Sequence, residues 1–205
     1  MKILIFGNGG HARVVASMAA LGADCEPLGF IFSGVVAHAT RMAGLPVYSE
    51  MTMADIPHDG LVIALGDIGQ RRTVFRKYVE QGEAMTTVIH PSAIIAPDVV
   101  IEPGCMICAG VIVNPGCHIE SNVVLNTGCT VDHDCTIGAH SHVAPGVNLA
   151  GNVAVGESVF IGIGASVVQD ITLGADSMVG AGAVVIRNVP TGSTVVGIPA
   201  QDVVK

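Results

Sequence analysis

Three histidines, His133, His140 and His142, form the densest group of chemically competent side chains in the sequence, all within ten residues. A histidine ring can bind zinc through one nitrogen, and it can also exchange a proton near neutral pH. If neighbouring subunits met at these residues, the three rings could assemble a tetrahedral zinc site. The alternative is that a single histidine acts as a general base without a metal.

The second alternative is favoured by the acid that follows His133. Asp134 is the next residue, and a carboxylate beside an imidazole raises the pKa of the ring and makes it a stronger base. The pair lies in the segment LNTGCTVDHDCTIG, residues 125–138. His133 and Asp134 occupy the third and fourth places of their six-residue repeat, where glycine, proline or asparagine usually marks a corner. Because a corner does not need a histidine and an acid for packing, we favour a catalytic dyad over a chance surface pair.

A glycine-rich turn, GNGGH at residues 7–11, is another candidate site because it follows an apolar run and precedes a predicted helix. Backbone N–H groups at such a helix N-terminus can hold a phosphate. A nicotinamide cofactor would also need an acid about 20 residues further on, and residues 30–33 (FIFS) contain none. We therefore exclude NAD and predict a phosphate-bearing ligand. The other interpretation is that the turn serves only tight packing of strand and helix.

The elements that must position these residues are indicated by a six-residue repeat. From Ile89 onward an aliphatic residue occurs at every sixth position, for 17 consecutive positions ending at Val185. This period fits neither a helix nor a hairpin; it predicts short strands joined by tight corners, with one aliphatic side chain per strand facing a narrow core. A thin core leaves no room for rings, which agrees with an aromatic content of 3% and no Trp.

Composition and charge exclude several classes of protein. With 50% hydrophobic and 13% charged residues, and no uninterrupted apolar stretch of about 18, the sequence predicts neither a disordered chain nor a membrane span. Residues 1–88 carry seven basic and eight acidic residues, a balance of −1, whereas residues 89–205 carry two basic and nine acidic, a balance of −7. Such an acidic surface argues against a nucleic-acid partner. The apolar run before Gly7 is too short for a signal peptide, so we expect a cytoplasmic protein.

The repeat and the change in charge predict two domains, residues 1–86 and residues 87–205. The first is predicted as an α/β, Rossmann-like βαβ domain with strands at residues 2–6, 29–32 and 61–65 and helices at residues 12–21 and 70–81. The second is predicted as an all-β domain built from the repeat.

This combination resembles the hexapeptide-repeat sugar acetyltransferases, in the branch that comprises sialic acid O-acetyltransferases and bacterial UDP-4-amino-sugar N-acetyltransferases such as that for bacillosamine. The similarity spans essentially the whole chain and rests on the Gly-Gly-His turn, the LNT…HD segment and the ending VGIPA at residues 196–200. It implies a left-handed parallel β-helix of triangular section with 18 residues per coil. It also implies a homotrimer with active sites between subunits.

The resemblance implies roles for individual residues, with His133 as the general base and Asp134 as its acidic partner. The residues that match the family's nucleotide-sugar and acceptor contacts are Gly9, Gly10, His11, Gly66 and Asn126. Those expected to contact acetyl-CoA, on the family's pattern and an 18-residue stacking of coils, are His142, Gly151, Ile163, Ala181 and Arg187. One departure is that Phe32-Ser33 stands where the family often has paired aspartates that contact the nucleotide.

The function predicted from the sequence is acetyl transfer from acetyl-CoA to the amino group of a nucleotide-linked amino-sugar, such as a UDP-4-amino-4,6-dideoxy sugar. His133 would accept the amine proton, and no metal would be required. Three alternatives stay open. They are O-acetylation of sialic acid or another sugar, a zinc-dependent lyase of the hexapeptide carbonic anhydrase type, and a non-catalytic repeat scaffold.

Overall fold

The computed structural model of the chain describes residues 1–34, 36–37 and 39–203. Contacts within the chain separate two compact units, Met1–Pro91 and Ser92–Lys205. Among the described residues, no helix combines the length and the apolar character needed to cross a bilayer.

The first unit is built on a mainly parallel sheet. The strands of this unit are β1 (Lys2–Phe6), β2 (Glu26–Phe32), β3 (Arg41–Met42), β4 (Leu45–Ser49), β5 (Gly60–Ile63) and β6 (Val88–Ile89), of which the first five form this sheet. Its helices are α1 (Gly10–Leu21), α2 (Ile68–Glu80) and a 3-10 helix (Glu50–Asp55). The sheet order is β3-β4-β2-β1-β5, in which β1 is parallel to β2 and β5, β2 is parallel to β4, and β3 is antiparallel to β4.

Burial explains why these segments form a sheet with helices against it. The residues Ile3–Phe6 of β1 are all buried, as expected for a central parallel strand covered on both faces. Helix α1 contacts β1 and β2, and Phe75 and Tyr78 of α2 pack in a cluster with Leu4 and Leu61. Each such buried side chain contributes roughly 1.5–3 kcal/mol to the free energy of unfolding.

The three predicted strands and two predicted helices of this unit are present; β1 has the predicted ends, and the ends of the other four elements lie within three residues of the prediction. The sequence does not predict β3, β4 or the 3-10 helix. Strand β4 contains Pro46 and all five of its residues are only half-buried, so it lacks the apolar signal of a central strand.

The second unit is a parallel β-helix whose two-residue strands recur every six residues. They are β7 (Ile94–Ile95), β8 (Val100–Ile101), β9 (Met106–Ile107), β10 (Ile112–Val113), β11 (His118–Ile119), β12 (Val124–Leu125), β13 (Thr130–Val131), β14 (Thr136–Ile137), β15 (His142–Val143), β16 (Asn148–Leu149), β17 (Ala154–Val155), β18 (Phe160–Ile161), β19 (Ser166–Val167), β20 (Thr172–Leu173), β21 (Met178–Val179) and β22 (Val184–Val185). The last strands are β23 (Thr194–Val196) and β24 (Gln201–Asp202). Within this unit three sheets form, β7-β10-β13-β16-β19-β22, β8-β11-β14-β17-β20 and β9-β12-β15-β18-β21-β23-β24.

Successive coils lie in register, 18 residues apart, so that Thr130 of β13 pairs with Asn148 of β16. The second residue of each two-residue strand is the aliphatic residue of the predicted repeat, and these side chains are buried from Ile107 to Val185. The predicted repeat architecture is thereby confirmed. Its thin core is filled by Val, Ile, Leu, Ala and Cys side chains, which pack on the equivalent residues of the coils above and below.

Three lines of corners run along the β-helix, and we name each after one of its residues. The His133 edge comprises residues 114–116, 132–134, 150–152, 168–170 and 186–188; the Pro145 edge comprises 108–110, 126–128, 144–146, 162–164 and 180–182; and the His140 edge comprises 102–104, 120–122, 138–140, 156–158 and 174–176. Backbone hydrogen bonds join the coils at the corners; the N–H of Asn152 donates to the carbonyl of His133 and that of Gly164 to Pro145, each at 2.9 Å. Corner side chains 18 residues apart are therefore neighbours.

Candidate active site

The His133 edge carries the predicted dyad. Nδ1 of His133 lies 2.9 Å from Oδ2 of Asp134, and the two side chains are 59% and 67% exposed. Asp134 has a left-handed backbone (φ 59°), and its N–H donates to the carbonyl of Pro115 one coil away at 2.9 Å. The corner thus holds the carboxylate against the ring and leaves both open to solvent.

The electrostatics of this corner suit a general base. The hydrogen bond with Asp134 raises the pKa of His133, and the negative charge of Asp132 raises it further. Because a carboxylate can only accept, Nδ1–H of the ring is the donor, and the lone pair of the neutral imidazole lies on Nε2. Nε2 is therefore the atom that can take a proton from a bound molecule.

Gly151 lies one coil above His133 and touches its ring. A Cβ added to Gly151 would come within 2.5 Å of Cε1 and 2.6 Å of Nε2 of His133, closer than any side chain can approach. The sequence predicts Gly151 as a contact of acetyl-CoA. In the structure Gly151 packs against the imidazole of His133. Only a glycine at residue 151 allows the His133 ring to occupy this position.

A second polar pair, Asn126 and His142, lies at the Pro145 edge. Oδ1 of Asn126 accepts from the N–H of Thr127 at 2.8 Å, so its Nδ2 faces Nε2 of His142 at 3.1 Å. An amide nitrogen donates, so Nε2 of His142 accepts and the proton of the neutral ring is on Nδ1. His142 is buried and packs edge-to-face on Phe160, with ring centroids 5.4 Å apart. This histidine is held far more tightly than His133.

The other residues predicted to contact acetyl-CoA fall on two different edges. Ile163 and Ala181 are exposed and stack on the Pro145 edge, where the carbonyl of Ile163 accepts from Gly182 at 2.8 Å. Within the described part of the chain, the N–H groups of Ile163 and Ala181 donate to no protein acceptor, so they are open to a ligand. Arg187 is also exposed, but it lies on the His133 edge. In a single chain these residues do not form one continuous site.

The third histidine of the cluster, His140, is placed apart from the other two. It is buried on the His140 edge, where its Nδ1 is 2.8 Å from Nδ2 of Asn122. Across residues 1–34, 36–37 and 39–203, no three His, Cys, Asp or Glu side chains are grouped so as to hold a metal ion.

The first unit has a cleft of about 600 Å³ at the carboxyl ends of β1 and β2 and the start of α2. Residues that line it include Gly7, Asn8, Phe32, Ser33, Asp67 and Thr73. This is the edge of a parallel sheet where ligands of α/β proteins usually bind. Phe32-Ser33, the departure noted in the sequence, thus lies in the wall of the cleft.

The predicted nucleotide-sugar contacts lie beside this cleft. Gly9 caps the N-terminus of α1, and Gly10 and His11 form its first turn. A Cβ added to Gly9 or to Gly66 would meet nothing within 4 Å, so a ligand could approach the backbone there. Burial, and then the charge of Arg71, lowers the pKa of His11 to about 4, so this ring is neutral at physiological pH.

Several residues of the cleft are not predicted from the sequence. Gln70, Thr73 and Lys77 line it from α2, and Glu50 lines it from the 3-10 helix. Glu50 accepts hydrogen bonds from Lys77 and from the hydroxyl of Tyr78, the latter at 2.7 Å. The three α2 residues are spaced as one helical face, a signal that the sequence contains.

Comparison with known proteins relates both units to sugar acetyltransferases. Residues 2–78 match the family of the PglD N-terminal domain, and residues 116–151 match the bacterial transferase hexapeptide family. The acetyltransferase domain of PglB from Neisseria gonorrhoeae FA1090, solved in complex with acetyl coenzyme A, is 32% identical over 98% of this chain and 98% of that chain, with a TM-score of 0.91.

Two further solved structures match over the full length. PerB from Caulobacter crescentus, in complex with CoA and GDP-perosamine, is 34% identical over 98% of this chain and 97% of that chain, with a TM-score of 0.91. WeeI from Acinetobacter baumannii AYE is 26% identical over 99% of this chain and 100% of that chain, with a TM-score of 0.87. With 32% and 34% identity to the PglB domain and PerB over 98% of its length, and with the same Rossmann-like domain followed by a left-handed parallel β-helix, this chain belongs to the hexapeptide-repeat sugar acetyltransferase family.

Proposed function

We propose that this protein transfers an acetyl group from acetyl-CoA to the amino group of a nucleotide-linked amino-sugar. The observation that carries the proposal is the exposed pair His133 and Asp134, in which Nε2 is free to accept a proton. Family membership supports it, because a perosamine N-acetyltransferase that is 35% identical to this chain has been solved with CoA and GDP-perosamine.

The reaction needs one proton acceptor placed beside the amine. As the neutral amine attacks the thioester carbonyl carbon, a C–N bond forms and the nitrogen gives its proton to Nε2 of His133. Asp134 stabilises the imidazolium that results. Backbone N–H groups at the corners would hold the oxyanion of the tetrahedral intermediate. The oxyanion then collapses, the C–S bond breaks, and the CoA thiolate takes the proton from the imidazolium.

We infer that the site is completed by a second copy of the chain, in a homotrimer with active sites between subunits. The dyad lies on the His133 edge, whereas Asn126, Ile163 and Ala181 lie on the Pro145 edge, and the sheet of β10, β13 and β16 separates the two. If the Pro145 edge of one copy packed beside the His133 edge of the next, the pantetheine amides could bind Ile163 and Ala181 while the thioester reached His133. In that arrangement Asn126 would hold the acceptor and His142 the acetyl end of acetyl-CoA.

The cleft of the first unit would bind the nucleotide. Gly9 and Gly10 expose backbone at the N-terminus of α1, and Gly66 does so before α2, positions where N–H groups can hold phosphates. We place His11 beside the phosphates as a neutral ring. Since acetyl-CoA and nucleotide-sugars are cytoplasmic metabolites, we also propose a cytoplasmic location.

The test is release of CoA thiol from acetyl-CoA against a panel of matched acceptors. The panel pairs a UDP- and a GDP-linked 4-amino-4,6-dideoxy sugar with the corresponding 4-hydroxy sugars and with a sialic acid. Turnover with the amines and none with the hydroxyls is expected. Turnover with hydroxyls alone would establish an O-acetyltransferase instead, and no thiol release with any acceptor would contradict the proposal.

The shared site has its own test by complementation. His133→Ala and His142→Ala subunits, each impaired alone, are unfolded together and refolded as a mixture. Mixed trimers contain interfaces that join an intact His133 edge to an intact Pro145 edge, so the mixture should regain part of the wild-type activity. A mixture no more active than its components, with mixed trimers verified by mass, would place the whole site within one chain.

A further inference from the structure

The acidic residue on the other side of His133, Asp132, has no part in the reaction described above, yet it is tied directly to the base. Its Oδ1 accepts a hydrogen bond from the backbone N–H of His133 at 2.8 Å. The same oxygen accepts from Nδ2 of Asn114, also at 2.8 Å. Asn114 begins the corner one coil before His133 on the same edge, so the carboxylate is fastened to two coils at once.

Two physical effects on His133 follow from this contact. The first is geometric, because a side chain that binds the N–H of the next residue restricts the backbone of that corner and with it the direction of the imidazole. The second is electrostatic. Hydrogen bonds from Asn114 and from the N–H of His133 lower the pKa of Asp132, so the carboxylate stays ionised beside the ring throughout the neutral range.

The effect of Asp132 on the His133 ring can be separated from that of Asp134, because the two carboxylates contact different parts of His133. Among the described residues, the titratable groups near His133 are the carboxylates of Asp134 and Asp132 and the thiols of Cys117 and Cys135, the last of which lies 3.7 Å from the carbonyl of His133. Gly151 covers the ring with uncharged backbone. Asp134 touches the ring nitrogen, whereas Asp132 touches the backbone and acts on the ring through space. A substitution at Asp132 therefore removes neither partner of the dyad hydrogen bond.

We propose that Asp132, held in place by Asn114, is a positioning residue for the general base, one that fixes the corner of His133 and adds a second negative charge beside its ring. The kinetic part of this inference rests on the proposed function. The effect on the ring does not, and it can be measured in the absence of any substrate.

The test compares two substitutions of the same residue. Asp132→Asn keeps an oxygen that can accept from His133 and Asn114 but removes the charge, whereas Asp132→Ala removes both. The ring titration of His133 is followed by the NMR signal of its Cε1–H, assigned with His133→Ala. In both variants the ring should titrate at lower pH than in the wild type, because a stabilising negative charge is gone.

Activity separates position from charge. Asp132→Ala should lower kcat by about 10²-fold, the usual effect of a misplaced catalytic group, with the KM of both substrates little changed. Asp132→Asn should recover most of that kcat, and the acid limb of its pH–rate profile should move to lower pH. The matched control is Asp170→Asn, because Asp170 accepts from Nδ2 of Asn152 at 2.6 Å on the same edge but two coils away from His133.

The outcomes distinguish this inference from the proposed function. If both Asp132 variants match Asp170→Asn in ring titration and in kcat while His133→Ala is inactive, the base is right and the role of Asp132 is wrong. If the Asp132 variants lower the pH of the ring titration but His133→Ala keeps wild-type turnover, the ring is tuned as proposed but it is not the base. Unchanged thermal unfolding of Asp132→Asn confirms that the variant is folded.

Discussion

The two units of this chain make their polar surfaces in different ways. In the β-helix, the dyad is a local departure from a strict repeat, because His133 and Asp134 occupy a corner at which the preceding coil has Pro115 and Gly116. In the first unit, the cleft is assembled from the ends of β1 and β2, the 3-10 helix and the start of α2, which are far apart in sequence. The first kind of site is held by backbone hydrogen bonds at every coil, and the second depends on packing between separate elements.

This difference predicts that substitutions in the two units change different kinetic parameters. A stiff corner suits the reaction step, where misplacement of the base by about 1 Å can cost about 10²-fold in rate. A cleft formed by loops and helix ends suits recognition of a ligand with several functional groups. Changes at the His133 corner should therefore lower kcat, and changes at the cleft should raise the KM of the sugar substrate.

The largest effect is expected for His133→Ala. Loss of the general base should lower kcat by about 10²–10⁴-fold, while the KM values and the oligomeric state stay close to those of the wild type. The measurement is steady-state thiol release, with rapid quench to establish that chemistry limits the rate. Near-wild-type turnover of a chemistry-limited variant would remove the dyad from the mechanism.

Gly151→Ala should come next, although it changes no chemically active group. The added methyl would overlap the imidazole at 2.5–2.6 Å, so the ring must leave its position. We expect kcat to fall by about 10²-fold. Asn152→Gly alters the next residue of the same corner, adds no atom near the ring and suits the left-handed backbone of that residue (φ 60°), so it serves as the control. Equal and small effects of the two substitutions would show that the ring position in the free protein is not the reactive one.

A pH effect of intermediate size should be confined to the first unit. His11 titrates near 6.5 when unfolded but has a pKa of about 4 in the folded protein. The unfolded chain therefore takes up its proton first as the pH falls, and the stability that is complete above about pH 6.5 is lost as the pH falls towards about 4. Between pH 7 and pH 5 the loss should be about 2 kcal/mol. In urea unfolding at both pH values, His11→Gln should not show this loss of stability between pH 7 and pH 5. If the variant showed the same pH dependence as the wild type, His11 would not be its cause.

The role of the glycine turn is tested by Gly9→Ala. Gly9 has an extended backbone (φ −95°), and a Cβ there meets nothing within 4 Å, so the variant should fold with only the modest loss that an alanine N-cap brings. If phosphates approach this backbone, the methyl should raise the KM of the nucleotide-sugar by about 10-fold, equivalent to about 1.4 kcal/mol. The KM of acetyl-CoA is the internal control. An unchanged sugar KM would move the phosphates away from this turn.

The smallest effect is expected for Arg187→Glu. Arg187 is the one Lys or Arg among the described residues of the β-helix, and a negative charge in its place should raise the KM of acetyl-CoA by about 3–10-fold if the CoA phosphates lie near it. Lys2→Glu makes the same change of charge in the first unit and should leave this KM unaltered. An increase in the KM of the sugar with no change for acetyl-CoA would place Arg187 at the other substrate.

Most of the β-helix could be predicted from the sequence because its order is local. The residues give the period of six, and the family resemblance gives the coil of 18. Once the coil length is given, residues 18 positions apart must lie together, so the stacking of Gly151 on His133 is expected. The same counting separates Arg187 from Ile163 and Ala181, since the distance from His133 to Arg187 is three whole coils. Asn114 and Asp132 are also 18 residues apart. Only the structure shows that Oδ1 of Asp132, which accepts from Asn114, also accepts from the backbone N–H of His133.

The glycine turn at the cleft of the first unit was predicted, whereas the side chains that meet across the cleft were not. Glu50 and Thr73 come together through the packing of elements that have no common period, and the burial of His11 beside Arg71 depends on the same packing. The glycine turn was visible because its residue types report backbone conformation directly. Contacts between side chains of separate elements have no corresponding local pattern in the sequence.

The in-register stacking of coils restricts how the length of this chain can change. Removing or adding six residues would rotate every later corner by one edge, and His133 would then stand above residues of a different edge than its present neighbours. Removing or adding 18 residues would restore every edge and change only the height of the stack. Insertions and deletions in the β-helix should therefore be tolerated in whole coils, or as loops bulging from a corner, whereas other lengths would separate Gly151 from the ring that rests on it.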